Sequence, residues 1–309
     1  MVFSVIICTR NRCKILHHCL QSFVEFGDLE EEYEVLLIDN GSTDSTKDVF
    51  NQFRLKIANL RYVHESQVGL SHARNRGALA SQSQWLLYID DDAKLIESTL
   101  SEYHKMINEY DFKLFTGIFR PWYLTKPPVW MKDRMVSYIV KGPLGIRAIG
   151  DDYISGGVMG LEKKLLMDLG MFNIALGMKG EEIGYGEESE LQRKAALQDY
   201  SIGFNSNLII DHLVGEHKYQ LSWFINSAYA KGSDAYRIDP FMKKFRWSNL
   251  IGSMLERALK NFLKSGYKLV FEKKYALSNW YLDNIGPMAG YFGIIRTKWS
   301  YNANQNKEE

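Results

Sequence analysis

Four short, mostly apolar runs punctuate the first ninety residues of the chain: Phe3–Cys8, Val35–Ile38, Leu60–Val63 and Trp85–Ile89. Apart from Ser4 and Arg61 their residues are apolar and do not alternate with polar ones, which is the signature of strands covered on both faces. The segments between and after them, near Lys14–Phe26, Thr43–Phe53, Leu70–Ala80 and Ile96–Tyr110, carry apolar residues at helical spacing. Strand–helix repetition of this kind predicts an α/β fold with a central, mostly parallel sheet flanked by helices. The strands run out into polar loops: Thr9-Arg10-Asn11-Arg12 after the first, Asp39-Asn40-Gly41-Ser42-Thr43-Asp44 after the second, Asp90-Asp91-Asp92 after the fourth. In an open sheet these carboxyl ends converge on one crevice, and that crevice is the candidate site.

Composition narrows the class. With 309 residues and 46% apolar side chains, the chain can form one large domain with an appendage or two modest domains. Nothing approaches the roughly 18 uninterrupted apolar residues of a membrane span, and no basic leader region precedes the first strand, so a cytoplasmic protein is expected. The three cysteines, Cys8, Cys13 and Cys19, offer no disulfide framework and match no standard zinc spacing. The net charge of +1 conceals an asymmetry, because residues 218–309 hold 15 Lys and Arg against 7 Asp and Glu. That balance makes the front of the chain acidic and the tail basic.

Three adjacent aspartates at a strand end are hard to tolerate without a cation, and a divalent metal carrying a phosphorylated ligand would satisfy them. The Thr-, Asn- and Gly-containing loops offer backbone N–H groups, and Asp39 offers a carboxylate able to accept an N–H from a base. Together these describe a site for a nucleoside diphosphate. No G-x-G-x-x-G follows the first strand, and no G-x-x-x-x-G-K-[ST] is present, so neither the dinucleotide nor the P-loop solution is used.

In order and spacing, Ser4-Val5-Ile6-Ile7-Cys8-Thr9-Arg10-Asn11-Arg12, Leu37-Ile38-Asp39-Asn40-Gly41-Ser42-Thr43-Asp44, Gly69-Leu70-Ser71-His72-Ala73-Arg74-Asn75-Arg76-Gly77 and Tyr88-Ile89-Asp90-Asp91-Asp92 resemble the family 2 glycosyltransferases of GT-A fold. Ser155-Gly156-Gly157-Val158-Met159-Gly160 and Gly186-Glu187-Glu188-Ser189-Glu190-Leu191 resemble that family's acceptor-side glycine motif and catalytic acidic motif. The resemblance implies a GT-A domain over 1–235, with a nucleotide-binding half (1–118) and an acceptor-side half (119–235), followed by a basic, aromatic helical extension (236–309). It implies nucleotide contacts at Thr9, Arg10, Asn11, Asp39, Asn40, Ser42, Gly69 and Arg74, with ribose at Asp90 or Asp91. It places Mn²⁺ or Mg²⁺ on the DXD-type residue Asp92, with Asp90 and His212 as further candidate ligands. Oxygen ligands accept either ion.

Glu188 stands where the family usually has Asp, and the resemblance makes it the base that deprotonates the acceptor hydroxyl in a single, inverting displacement; Glu187 is its rival. Without the resemblance, this acidic cluster reads as the negative first turn of a helix running to about Gln198. Gly156 and Gly157 would let backbone approach sugar or acceptor. Trp122, in the irregular aromatic stretch from Phe119 to Gly150, would stack on a sugar face, and the glycine-containing stretch 177–186 suits a lid. The expected partners are a nucleotide-sugar donor, UDP-linked, and a glycan or lipid-linked acceptor of a surface polysaccharide, with no nucleic acid. Basic residues interleaved with Trp, Phe and Tyr after Tyr236 suit an anionic membrane surface or, equally, packing on the catalytic domain or a second subunit. A non-catalytic nucleotide- or sugar-binding protein and a sugar nucleotidyltransferase remain as alternatives.

Overall fold

Side chains of the first strand, β1 (Phe3–Thr9), divide by parity. In the computed structural model, which describes residues 1–29, 32–132, 135–138, 142–149 and 154–305, Phe3, Val5 and Ile7 enter one apolar cluster and Ile6 enters a second on the opposite face. Burial on both faces explains the unbroken apolar run. β2 (Glu34–Asp39), β3 (Leu60–His64) and β4 (Trp85–Asp90) join it in the parallel order β3-β2-β1-β4.

The crossovers are α1 (Cys13–Phe26), α2 (Thr46–Phe53) and α3 (Leu70–Ala80). α1 buries Leu16, Cys19, Leu20 and Phe23, an i, i+3, i+4, i+7 stripe, in the first cluster. α3 lies close over the other face, where a Cβ on Gly77 would stand 2.4 Å from Ile6 Cγ2. Asp44 serves two helix starts at once, accepting the Cys13 N–H at 2.9 Å and the Thr46 N–H at 3.1 Å. Burial alone would raise its carboxyl, but the bonds from Thr46 and Cys13 reverse that and hold it below the ordinary range. This double role is why α2 begins at Thr46 and not at Thr43.

Beyond β4 come β5 (Ala93–Leu95), α4 (Thr99–Glu109), β6 (Leu114–Trp122), β7 (Ile146–Ile149), β8 (Val158–Glu162), α5 (Lys163–Asp168), α6 (Glu187–Ala196) and β9 (Ile202–Leu213). β8 runs antiparallel to β4, pairing Val158 with Ile89, so the start of β8 meets the end of β4. The sheet continues β8-β6-β9-β5, with β7 on β9. The helix expected from Ile96 is preceded by β5, whose Ala93 pairs with His212. In the expected aromatic insertion, residues 133–134, 139–141 and 150 lie outside the described residues.

Two compact units result. The first holds these strands and α1–α6; the second comprises residues 123–132, 182–186 and 215–309. In the second are α7 (Leu221–Ile238), α8 (Pro240–Lys244), α9 (Trp247–Phe271) and α10 (Leu277–Gln305), so α7 spans the boundary expected at residue 235. α7 and α10 approach at backbone distance: a Cβ on Gly232 would stand 1.9 Å from the Gly290 carbonyl oxygen, and one on Gly293 would stand 2.1 Å from that of Tyr229. The hydroxyls of Ser233 and Thr297 meet across the same seam at 2.6 Å. Among the described residues, no helix is long and apolar enough to cross a membrane.

Gly232→Ala is therefore expected to lower stability by about 1–3 kcal/mol through overpacking. Gly252→Ala, at a site on α9 where an added Cβ meets nothing within 4 Å, should be neutral or slightly stabilising. Urea unfolding of the two variants checks the pair, and equal midpoints would refute the close-packed seam.

Candidate functional site

At the carboxyl end of β4, three carboxylates are held by named partners. Asp91 accepts the Thr9 hydroxyl at 2.7 Å and pairs with Arg12 Nη1 at 2.5 Å, while Arg12 Nη2 reaches Asp92 Oδ2 at 2.7 Å. His212, near the end of β9, brings Nε2 to 3.2 Å from Asp92 Oδ1 and 3.8 Å from Asp90 Oδ2. Burial disfavours the charge of Asp90, yet His212 and Arg74 outweigh it and keep its carboxyl below the ordinary range. Burial dominates at Asp91 and, despite Arg12, pushes it up to about 6. Asp90, Asp92 and His212 each offer one ligand atom, all within 4.8 Å of one another. Two carboxylate oxygens and one imidazole nitrogen form a donor set that fits a divalent cation.

Arg74, on α3 and only 3% exposed, joins this cluster to the acidic motif. Its Nη1 lies 2.6 Å from Glu187 Oε1, and its Nη2 lies 3.6 Å from Asp90 Oδ1 and donates to the Gly156 carbonyl at 3.3 Å. Glycine is needed opposite it, because a Cβ on Gly156 would stand 2.6 Å from Nη2, and one on Gly157 would stand 3.1 Å from Asp90 Oδ2. Glu187 and Glu188 open α6, and a buried Oε2 on each has no hydrogen-bond partner among the described residues. Burial, with Glu188 alongside, pushes the Glu187 carboxyl well above its ordinary range against the pull of Arg74. The Glu187 carboxyl therefore holds its proton more readily than a solvated glutamate would.

The remaining candidates form the floor beside this cluster. Arg10 Nη1 donates to the carbonyls of Asn40 (2.7 Å) and Gly41 (3.0 Å), and Asn11 donates its N–H to Ser42 Oγ at 3.0 Å. Asp39 accepts the Ser42 N–H at 2.8 Å and also the Tyr62 hydroxyl. The Asn40 side chain accepts the Gly69 N–H at 2.8 Å and donates to the carbonyls of Glu65 and Gln67. Trp122 is engaged differently: it packs edge-on to His18, and Lys94 Nζ lies 4.1 Å above its ring. A cleft of about 210 Å³ opens among Thr9, Arg10, Asn40, the three aspartates and Met178. The expected lid is pinned at its start, where Leu70 donates to the Met178 carbonyl and Ser71 to that of Leu176.

Two participants have roles that the sequence does not display. Arg12 belongs to the polar segment after the first strand, but its partnership with the aspartates depends on β1 lying beside β4. Tyr62 reaches Asp39 because β3 pairs Tyr62 with Leu37, two residues before Asp39, a register that no local pattern displays.

Residues 4–169 match the family model of glycosyl transferase family 2. A PGL/p-HBAD biosynthesis glycosyltransferase of Mycobacterium bovis is 34% identical over 114 residues, which is 36% of this chain and 43% of the relative. The poly(ribitol-phosphate) beta-glucosyltransferase of Bacillus spizizenii is 26% identical over 119 residues, 38% of this chain and 19% of the relative. These matches thus span less than half of each relative's length. Among solved structures, the mannosyltransferase PcManGT of Pyrobaculum calidifontis, in complex with GDP-Man and Mn²⁺, superposes with a TM-score of 0.64 at 18% identity, covering 96% of this chain and 87% of its own. S. aureus TarS 1-349 in complex with UDP gives 0.54 at 16% identity, covering 98% and 92%.

Arg74→Met would leave Glu187 and Asp90 without their shared cation, and a loss of about 3–5 kcal/mol is expected for breaking a buried pair. The Arg74→Met/Glu187→Leu double variant should recover part of that loss. Denaturant unfolding of the full cycle checks this, and strictly additive losses would show that the pair is not coupled.

Proposed function

From the premise that this chain is a member of glycosyl transferase family 2, and so a glycosyltransferase, we propose an inverting, metal-dependent enzyme that moves a sugar from a UDP-linked donor to a glycan or lipid-linked acceptor in surface polysaccharide synthesis. The observation that carries the reading is the junction at Arg74, where the aspartates at the end of β4 and the acidic start of α6 are bridged by one buried guanidinium. A donor site and a base lie on either side of it.

In this reading the floor formed by Arg10, Asn11, Asp39, Asn40, Ser42 and Gly69 holds the nucleoside, with Asp39 facing the imino group of the base. Asp90, Asp92 and His212 hold a divalent cation that supplies charge neutralisation to the departing diphosphate. Glu187 is engaged by Arg74, which leaves Glu188 as the base. Its carboxylate takes the proton of the acceptor hydroxyl while that oxygen attacks the anomeric carbon opposite the leaving nucleoside diphosphate. One C–O bond forms as the other breaks, and the configuration inverts. The Glu188 side chain is one methylene longer than the Asp usual in the family, so the acceptor sits correspondingly farther from α6. The name of the poly(ribitol-phosphate) relative supports a polymeric acceptor.

Incubation with a panel of UDP- and GDP-sugars should release nucleoside diphosphate from one donor in the presence of Mn²⁺ or Mg²⁺ and release none in EDTA. Asp92→Asn should abolish the metal response. With acceptor present, Glu188→Gln should reduce kcat by about 10²–10⁴-fold, the usual contribution of a general base, with a much smaller effect on donor KM. NMR of the product should show the inverted anomer. Pyrophosphate release, undiminished turnover in EDTA, or a Glu188→Gln variant within a few-fold of the parent would overturn the reading.

A further inference from the structure

In the second unit, the amphipathicity of α9 is reversed. Leu250, Met254, Ala258, Asn261 and Ser265 follow an i, i+4, i+8, i+11, i+15 stripe that is buried or half-buried, and much of it is small or polar. This seam is joined to α10 by hydrogen bonds, Asn284 Nδ2 to Ser265 Oγ at 2.8 Å and Asn261 Nδ2 to the Asp283 carbonyl at 3.0 Å. The large apolar side chains point outward. Ile251, Leu255, Leu259, Phe262, Leu263 and Val270 repeat at helical spacing on a face turned roughly a third of a turn from that seam, with Leu255, Leu259 and Leu263 60–64% exposed. A contiguous apolar stripe of this kind marks an interaction surface.

Charge decides what covers it. Arg257, Lys260 and Lys264 lie together on the polar side of α9 beyond the stripe, with Lys260 nearest to it; Lys268 continues the row, and Lys273 and Lys274 follow the helix end. The one acid within α9 is Glu256, and it is paired with Lys260 at 2.5 Å. A second copy of this chain would present the same basic row and no acidic row to receive it. A surface of anionic lipid headgroups supplies both the apolar bed and the negative charge. The helix has 25 residues and does not qualify as a membrane span, which suits a helix lying in the plane of the surface.

We propose that the outer face of α9 is a membrane-docking surface, its apolar stripe seated at the headgroup boundary of an anionic bilayer and the cations of its polar side held beside the phosphates. The inference stands on the second unit alone and does not depend on the transferase chemistry. Its consequence for an enzyme is a raised local concentration of any acceptor anchored in the same lipid.

The test is cosedimentation of the full chain with vesicles of phosphatidylcholine alone or mixed with phosphatidylglycerol, alongside sedimentation velocity without lipid. Binding is expected on the mixed vesicles only, weakening at high salt. Lys260→Gln/Lys264→Gln should reduce it on the order of tenfold or more, and Leu255→Glu/Leu259→Glu/Leu263→Glu should abolish it while circular dichroism stays unchanged. Should the triple variant misfold, an environment-sensitive dye on Leu259→Cys, read against the labelled parent, should shift to the blue with mixed vesicles. Absence of vesicle binding, a folded triple variant that still binds, or an unshifted dye would overturn the proposal. A parent dimer that the triple variant dissociates would overturn it as well, by assigning the stripe to a second copy.

Discussion

Arg74 is the group on which the arrangement of the first unit turns. A guanidinium cannot shed its proton, so once buried it must be surrounded by acceptors. Those acceptors come from three separate parts of the chain: the end of β4 through Asp90, the turn before β8 through the Gly156 carbonyl, and the first turn of α6 through Glu187. None of these segments is a neighbour of another in sequence. The cation fixes their spacing because moving Glu187 away would leave a buried guanidinium without its nearest carboxylate.

Sheet topology makes that meeting possible. A purely parallel sheet would have put the start of β8 at the opposite end from Asp90. The antiparallel step between β4 and β8 brings the glycine turn to the aspartates, and β9 then delivers His212 opposite Ala93. The crevice is thus built where strand direction changes, and the polar residues that close it come from both kinds of neighbour.

The parts of this architecture that are legible in the sequence are those determined locally or by burial. β1, β2 and β4 and their helices announce themselves because strands covered on both faces favour continuous apolar residues, and α1 shows its stripe directly; β3, expected as a buried strand, is the half-covered edge of the sheet and carries Arg61 accordingly. β5, three residues long, and β7, four residues long, owe their existence to pairing with β9, so they leave no periodic trace. The same division holds at the site. The Asp triplet is conspicuous because the charge is contiguous, whereas the roles of Arg12 and Tyr62 depend on which strands lie side by side. Glu187 and Glu188 are separated in sequence only by the family resemblance; in the structure the guanidinium that Glu187 meets distinguishes them as well.

The side chain of Asn40 has a consequence for how a ligand would arrive. With 4% of its surface exposed, it gives both kinds of bond its amide can make to the backbone at Glu65, Gln67 and Gly69, tying the loop after β2 to the loop between β3 and α3. The two loops that Asn40 joins are therefore already held together before any ligand arrives. Association at such a surface is governed by diffusion and by the electric field of the surrounding charges, and the rate of complex formation becomes a property of ionic strength more than of chain motion.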